Sequence, residues 1–153
     1  MDIVKDIMVK KITAFGPDSS VNKIAKVMGV RDIGAVIIVG RNKKPLGIIT
    51  ERDMVKRVIA KNLNPRKTKA KDIMTSPVQG IHPDANIYYT SKMMQQKGFK
   101  RYPVVKNNKV VGFISQSTLI DYFTKQRKKF VLKYLSKKLR KEYLWKNFWN
   151  QQL

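Results

Sequence analysis

The sequence predicts a mixed α/β fold in which one small unit is built twice and followed by a basic helical extension. Three observations carry this. Asp6-Ile7-Met8 recurs as Asp72-Ile73-Met74, Pro17-Asp18 as Pro83-Asp84, Val21 as Ile87 and Met28 as Met94, all at one constant offset. The offset then shortens by one residue in the loop holding Gly40-Arg41-Asn42, so that Gly47-Ile48-Ile49-Thr50 lines up with Gly112-Phe113-Ile114-Ser115. Beyond Phe123 the repeat gives way to lysines and apolar residues at helical spacing. A repeat of roughly 65 residues is longer than most solenoid units and reads as a duplicated small domain. The expected boundaries are 1–63 for the first copy, 64–70 for a basic linker, 71–123 for the second copy and 124–153 for the extension.

Each copy shows the same order of signals. In the first, a polar stretch ending in Pro17-Asp18 leads into a helix from about Ser20 to Val30, capped by Ser19 or Ser20, with Val21, Ile24, Ala25 and Met28 as its apolar stripe. Strands over Ala35–Val39 and Leu46–Thr50 follow, joined through Asn42-Lys43-Lys44-Pro45. In the second copy the helix spans about Asn86 to Lys97, and strands Tyr102–Lys106 and Val110–Ser115 flank a tight hairpin at Asn107-Asn108.

The junction Gly47-Ile48-Ile49-Thr50-Glu51-Arg52-Asp53 joins a strand end to a helix start and sets a hydroxyl beside a carboxylate. Thr50 can cap the helix, and Asp53 falls in its first turn. An ionised carboxylate accepts only, so Asp53 can take both hydroxyls of a ribose, while backbone N–H groups at the helix start can meet an anion. An ordinary capped helix has the same local sequence. Its recurrence at Gly112-Phe113-Ile114-Ser115 is what sets the junction apart.

Two copies of Asp-Ile-Met, a Pro-Asp helix start, the strand Ile33-Gly34-Ala35-Val36 and the Gly47-to-Asp53 junction together resemble the tandem cystathionine-β-synthase (CBS) domain pair, or Bateman module, in an archaeal-like form with a basic C-terminal extension. The resemblance covers about Val4 to Phe123. It implies two β-α-β-β-α repeats packed as a pseudo-two-fold disc, clefts that bind adenosyl compounds such as AMP, ADP or ATP, a further homodimer through the discs, and a sensor rather than an enzyme. Carried over by position, Thr50 and Asp53 hold a ribose, with Arg52 between them. Ile12, Thr13, Gly34, Ala35 and Val36 flank an adenine.

The second copy departs from the family pattern. Thr118 stands where the carboxylate would be, with Ser115 at the position of Thr50. One hydroxyl cannot accept from two ribose hydroxyls as a carboxylate does. Lys100 and Arg101, ahead of Tyr102 and Pro103, match a basic pair that faces phosphates in some nucleotide-binding members. The equivalent first-copy positions are Gly34 and Ala35. The first copy therefore offers a ribose acceptor and the second a phosphate clamp.

Composition limits the remaining choices. A single histidine, His82, and no cysteine exclude thiolate zinc sites, a histidine triad and disulfides. Lack of cysteine also suits a reducing compartment and is common in proteins of hot organisms. No apolar run reaches membrane-spanning length and Met1-Asp2-Ile3-Val4-Lys5 does not read as a signal peptide, so a cytoplasmic location without stable membrane insertion is expected. No P-loop or nucleophile–base set is present. The outstanding quantity is charge: 33 basic against 10 acidic side chains give +23, far above the magnitude of about 2 to 8 that keeps a small domain soluble. Such self-repulsion points to a polyanionic partner.

Ten basic side chains and one acidic lie between Thr124 and Leu153. Phe123, Phe130, Val131, Tyr134, Leu135 and Leu139 recur at helical spacing, while Lys128, Lys129, Lys133, Lys137, Lys138, Arg140 and Lys141 fill the other faces, and Trp145, Lys146, Phe148 and Trp149 end the chain in an aromatic cluster. Such a helix can pack on the rest of the chain, lie on anionic lipid, or bind RNA through phosphate contacts and base stacking. Of the two partner readings, only RNA also accounts for the positive charge elsewhere, including Arg66, Lys67 and Lys69 in the linker. The expectation is a non-enzymatic adenosyl sensor that binds ribosomal RNA on a ribosomal subunit as a translation-regulating or hibernation-type factor. Alternatives are a regulatory subunit docked on an enzyme or transporter, and a nonspecific DNA-binding regulator.

Overall fold

The computed structural model describes residues 2–98 and 100–142. The chain divides into two compact units, Met1–Gln116 and Ser117–Leu153. Both copies of the repeat pattern lie in the first unit, apart from the end of the second.

In the first copy a short helix α1 (Val4–Ile7) precedes strand β1 (Ala14–Phe15), helix α2 (Val21–Arg31), strand β2 (Ala35–Val39) and strand β3 (Pro45–Thr50). The order in the sheet is β1-β2-β3, with β1 parallel and β3 antiparallel to β2. α2 begins where the serine signal placed it, the Ser20 hydroxyl accepting from the Lys23 N–H at 3.3 Å. It ends at Asp32, which takes the left-handed conformation at φ 50°. The sheet then hands over at Thr50 to a one-turn helix α3 (Glu51–Asp53) that widens into a π-helical segment, Met54–Ile59.

The second copy repeats the plan: α4 (Ala70–Ile73), α5 (Ile87–Lys97), β4 (Arg101–Lys106) and β5 (Lys109–Ser115), with Asn86 capping α5 by accepting from the Tyr89 N–H at 3.1 Å. The β4–β5 hairpin turns through Asn107 and Asn108, both at positive φ. A register shift falls between Val104 and Val105, the counterpart of the shift between Ile38 and Val39. Instead of a first strand, Ile81 makes one parallel bridge to Val104.

The short helices explain the recurring Asp-Ile-Met. Asp6 accepts from the Ile3 N–H at 3.2 Å and Asp72 from the Lys69 N–H at 2.8 Å, so each aspartate caps its own turn. The methionine that follows lies over a glycine of the other copy: β-carbons built on Gly47 and Gly112 would each fall 2.6 Å from a methionine sulfur, of Met74 and Met8 respectively. Backbone pairing is exchanged in the same sense. Val9 pairs with Phe113 and Thr75 with Ile48, each through two hydrogen bonds of 2.8–3.1 Å. Ile3 bridges to Asn86 and Lys69 to Ser20. Every one of these contacts has its counterpart in the repeat.

A core of Val21, Ile24, Met28, Val36, Ile38, Ile49, Val58, Ala70 and Ile73 fills the first copy, with Ala70 and Ile73 entering it from α4. Removing such side chains from water at about 25 cal/mol per Å² drives the association of the copies.

α6 (Gln116–Tyr134), all but its first residue in the second unit, runs without interruption past Phe123. The single basic helix expected for the extension is nevertheless broken at Leu135–Ser136, and residues 137–142 are helical again. Ser136 starts the new segment, its carbonyl accepting from the Arg140 N–H at 2.9 Å. The Arg140 guanidinium donates back to the carbonyls of Leu135 (2.8 Å) and Lys133 (3.4 Å), closing the end of α6. Trp145, Lys146, Phe148 and Trp149 lie outside the described residues. Among the described residues no helix is long and apolar enough to cross a membrane.

Candidate functional site

The strand-to-helix junction of the first copy is a closed hydrogen-bonded box. The Thr50 N–H and hydroxyl both donate to Asp53 Oδ2, at 2.8 and 2.7 Å, and the Asp53 N–H returns a bond to Thr50 Oγ1 at 3.3 Å. Asp53 Oδ1 faces Arg57 Nε at 3.3 Å, and Arg57 Nη1 in turn donates to the Ile73 carbonyl at 2.6 Å. Asp53 is buried, 9% exposed. A carboxylate has about four acceptor positions, and three are engaged, so an incoming sugar hydroxyl finds one vacant position and gains more only by displacing Thr50 or Arg57. The N–H of Asp53 is occupied as well. Arg57 was invisible to motif reasoning, although its i,i+4 spacing from Asp53 is a recognised helix ion-pair signal.

Thr50, Arg52 and Asp53 line a cavity of about 340 Å³ together with Ile48, Glu51, Thr75, Gly98, Lys100 and Arg101. The residues assigned to a ribose in the first copy and the basic pair of the second thus line one cleft. Arg52 is exposed and is among its walls. Four members were unforeseen, Ile48, Glu51, Thr75 and Gly98, and of these Glu51 is charged, an exposed carboxylate among three cations. Its backbone N–H donates to the Gly34 carbonyl at 3.2 Å, tying the helix start to β2.

Gly34 lies against the side-chain ends of two residues that line the cleft. A β-carbon there would lie 2.5 Å from Arg101 Nη2 and 2.7 Å from Glu51 Oε2. The missing side chain is the space in which the guanidinium and the carboxylate converge.

Arg101 also lines a neighbouring cavity of about 190 Å³, with Ile12, Thr13, Gly34, Ala35, Phe113 and Ser115 among its walls. The Thr13 hydroxyl accepts from Arg31 Nη1 at 3.2 Å. Val36 does not face this space. It alternates on β2 with Ala35 and Ile37 and is buried in the core at 1% exposure. Tyr102 and Pro103 are likewise buried in β4 and line neither cavity, and burial holds the Tyr102 phenol above its ordinary value of 10.0. Thr118 falls in the second unit, in the first turn of α6. In the linker Arg66 and Lys67 are exposed, whereas the Lys69 ammonium is bound to Asp18 at 3.1 Å, alongside Lys71 at 2.9 Å.

The duplicated α/β plan, the exchanged pairing between the copies and a polar cleft at a strand-to-helix junction define a two-repeat α/β module. The CBS domain model matches residues 4–60 and 70–125, and the chain belongs to the CBS-domain family as a tandem pair. An uncharacterized protein of Methanopyrus kandleri is 33% identical over 119 residues, covering 77% of this chain and 61% of its own length, so the chain spans less than two thirds of that relative. The crystal structure of a CBS-domain protein from Agrobacterium tumefaciens superposes with a TM-score of 0.73 at 26% identity, covering 80% of this chain and 99% of the other. The CBS domain pair of protein MJ0100, solved in complex with 5′-methylthioadenosine and S-adenosyl-L-methionine, superposes at a TM-score of 0.72 and 28% identity, covering 80% and 99%.

Proposed function

We propose that this chain is a non-catalytic sensor of a phosphate-bearing adenosyl compound, AMP, ADP or ATP, and that it binds RNA, with a ribosomal subunit as the surface that best fits its charge. The observation that carries the ligand half is the convergence of Thr50 and Asp53 with Arg52, Lys100 and Arg101 on one cleft of about 340 Å³. Three cations face two carboxylates there, and Asp53 is already paired with Arg57. The balance favours an anion over a cationic sulfonium. The relative with bound adenosyl compounds supports the choice of an adenosyl ligand.

The RNA half rests on the net charge of +23 and on cations spread over both units, which fit a polyanion that spans the chain. For the ligand to regulate docking it must bind the free and RNA-bound states with different affinity. Calorimetry with AMP, ADP and ATP tests the first half: saturable binding that weakens roughly ten-fold or more in Arg101→Ala supports it, and absence of heat for all three removes it. Sedimentation of lysate with and without RNase tests the second. Comigration with a ribosomal subunit that is lost on deleting residues 124–153 supports it; a chain that stays at the top at every salt removes it.

Exposed Val55, Ile59, Tyr88 and Tyr89 favour a second reading, docking on protein, either a second copy or an enzyme or transporter of which the chain is a regulatory subunit. Comigration resistant to nuclease would identify it.

A further inference from the structure

The second unit carries an aromatic face that the ligand cleft does not involve. Phe123, Arg127, Phe130 and Tyr134 follow at steps of four, three and four, which puts them on one side of α6. Phe130 and Tyr134 are each 64% exposed and Phe123 40%. The Phe130 and Tyr134 ring centroids are 4.7 Å apart with planes tilted by 42°, and the Lys133 ammonium sits 5.2 Å from the Tyr134 centroid. With Lys129 these side chains line an open groove of about 580 Å³.

Large aromatics left in water beside cations mark a binding surface, and the charge selects the occupant. From Lys125 to Tyr134 there are five basic residues and no acidic one. A second copy would therefore set cation against cation. The occupant that satisfies both features is anionic along its length and presents flat π faces. We infer that this face of α6 is a stacking platform for single-stranded RNA, a reading that rests on the RNA binding proposed above and narrows it. Rings 4.7 Å apart leave no gap for a base between them, so a base stacks on their outer face while Arg127, Lys129 and Lys133 meet the flanking phosphates. Duplex RNA keeps its bases paired and stacked inside and offers this surface only phosphates.

The test is fluorescence anisotropy on the full chain with a labelled 12-nucleotide single strand and with the same sequence as a blunt duplex, over a salt series, for the wild type and Phe130→Leu/Tyr134→Leu. Leucine keeps the helix propensity and the apolar surface but has no ring, and circular dichroism verifies the fold. The expected result is preference for the single strand, roughly ten-fold weaker single-strand binding in the double variant, unchanged duplex binding, and the same salt slope. Equal binding of both RNAs, unaffected by the substitutions, overturns the platform and leaves general RNA binding standing. No binding of either RNA overturns both. Co-flotation of wild type and variant alike with phosphatidylglycerol vesicles, without preference for single strands, assigns the face to lipid and also overturns the platform.

Discussion

Gly47 in the first copy and Met74 in the second are packed so closely that a β-carbon on Gly47 would stand 2.6 Å from the Met74 sulfur, 2.8 Å from its Cγ and 3.0 Å from the Thr75 carbonyl oxygen. Gly112 and Met8 repeat the arrangement. The glycines are therefore needed for close approach of the two copies. Gly47→Ala is expected to lower stability by about 1–3 kcal/mol, the usual range for overpacking. Met74→Ala in the same chain should recover part of that loss, read by urea denaturation as a double-mutant cycle. Additive effects would mean that the two residues do not share the space.

A side chain at Gly34 would crowd the Arg101 guanidinium, its β-carbon falling 2.5 Å from Nη2. Gly34→Val should therefore displace Arg101 and weaken binding of AMP, ADP or ATP about as much as Arg101→Ala, roughly ten-fold. Calorimetry on the double variant should show no further loss. A further ten-fold loss would mean that Gly34 acts by another route.

The buried Asp53 depends on Arg57 for its only charged partner among the described residues, at 3.3 Å. Arg57→Met removes the ion pair from this largely buried carboxylate and leaves the Ile73 carbonyl without the Arg57 donor. A loss of about 1–3 kcal/mol is expected. Asp53→Asn/Arg57→Met should lose less than the sum of the single changes, a non-additivity that thermal unfolding can read.

The Lys71 ammonium, with Lys69 beside it, holds the Asp18 carboxyl below its ordinary value of 3.8, and Lys71 is raised above 10.5 chiefly by its hydrogen bond to Asp18. A depressed carboxyl stabilises the fold above its unfolded value, and that contribution is lost as pH falls through the folded value. A raised lysine stabilises below its unfolded value and is lost as pH rises through the folded one. The cluster is thus complete at neutral pH and dissolves at both extremes. Carboxyl NMR titration should place Asp18 below 3.8 and return it toward 3.8 in Lys69→Gln/Lys71→Gln; an unmoved titration would show that the lysines do not act on it.

Much of this architecture was legible in the sequence because repetition makes weak signals specific. The strand Ala35–Val39 and the α2 and α5 helices stand within a residue of their expected positions, since alternation, caps and apolar stripes are local properties. The exchange between the copies was not legible. Asp-Ile-Met announces a repeated element, but whether Met74 seats on its own copy or on the other depends on long-range packing. The break at Ser136 was missed for a different reason: a serine amid strong helix formers is a weak signal until Arg140 is seen to turn back on the preceding carbonyls. Val36 was assigned to the ligand because the whole segment was transferred from the family pattern, although strand alternation sends neighbouring side chains to opposite faces.

The exchanged pairing also bears on how such a chain could arise. One copy by itself leaves its arm, Ile3 to Val9 or Lys69 to Thr75, without the strand it pairs with, and would be completed by lending that arm to a twin and borrowing the twin's in return. Joining two genes through a short tether converts that trade between molecules into one within a molecule, at the high effective concentration a tether confers. Fusion also frees the two halves to differ, as Asp53 differs from Thr118 and Gly34 and Ala35 differ from Lys100 and Arg101: an asymmetry forbidden to a pair of identical chains.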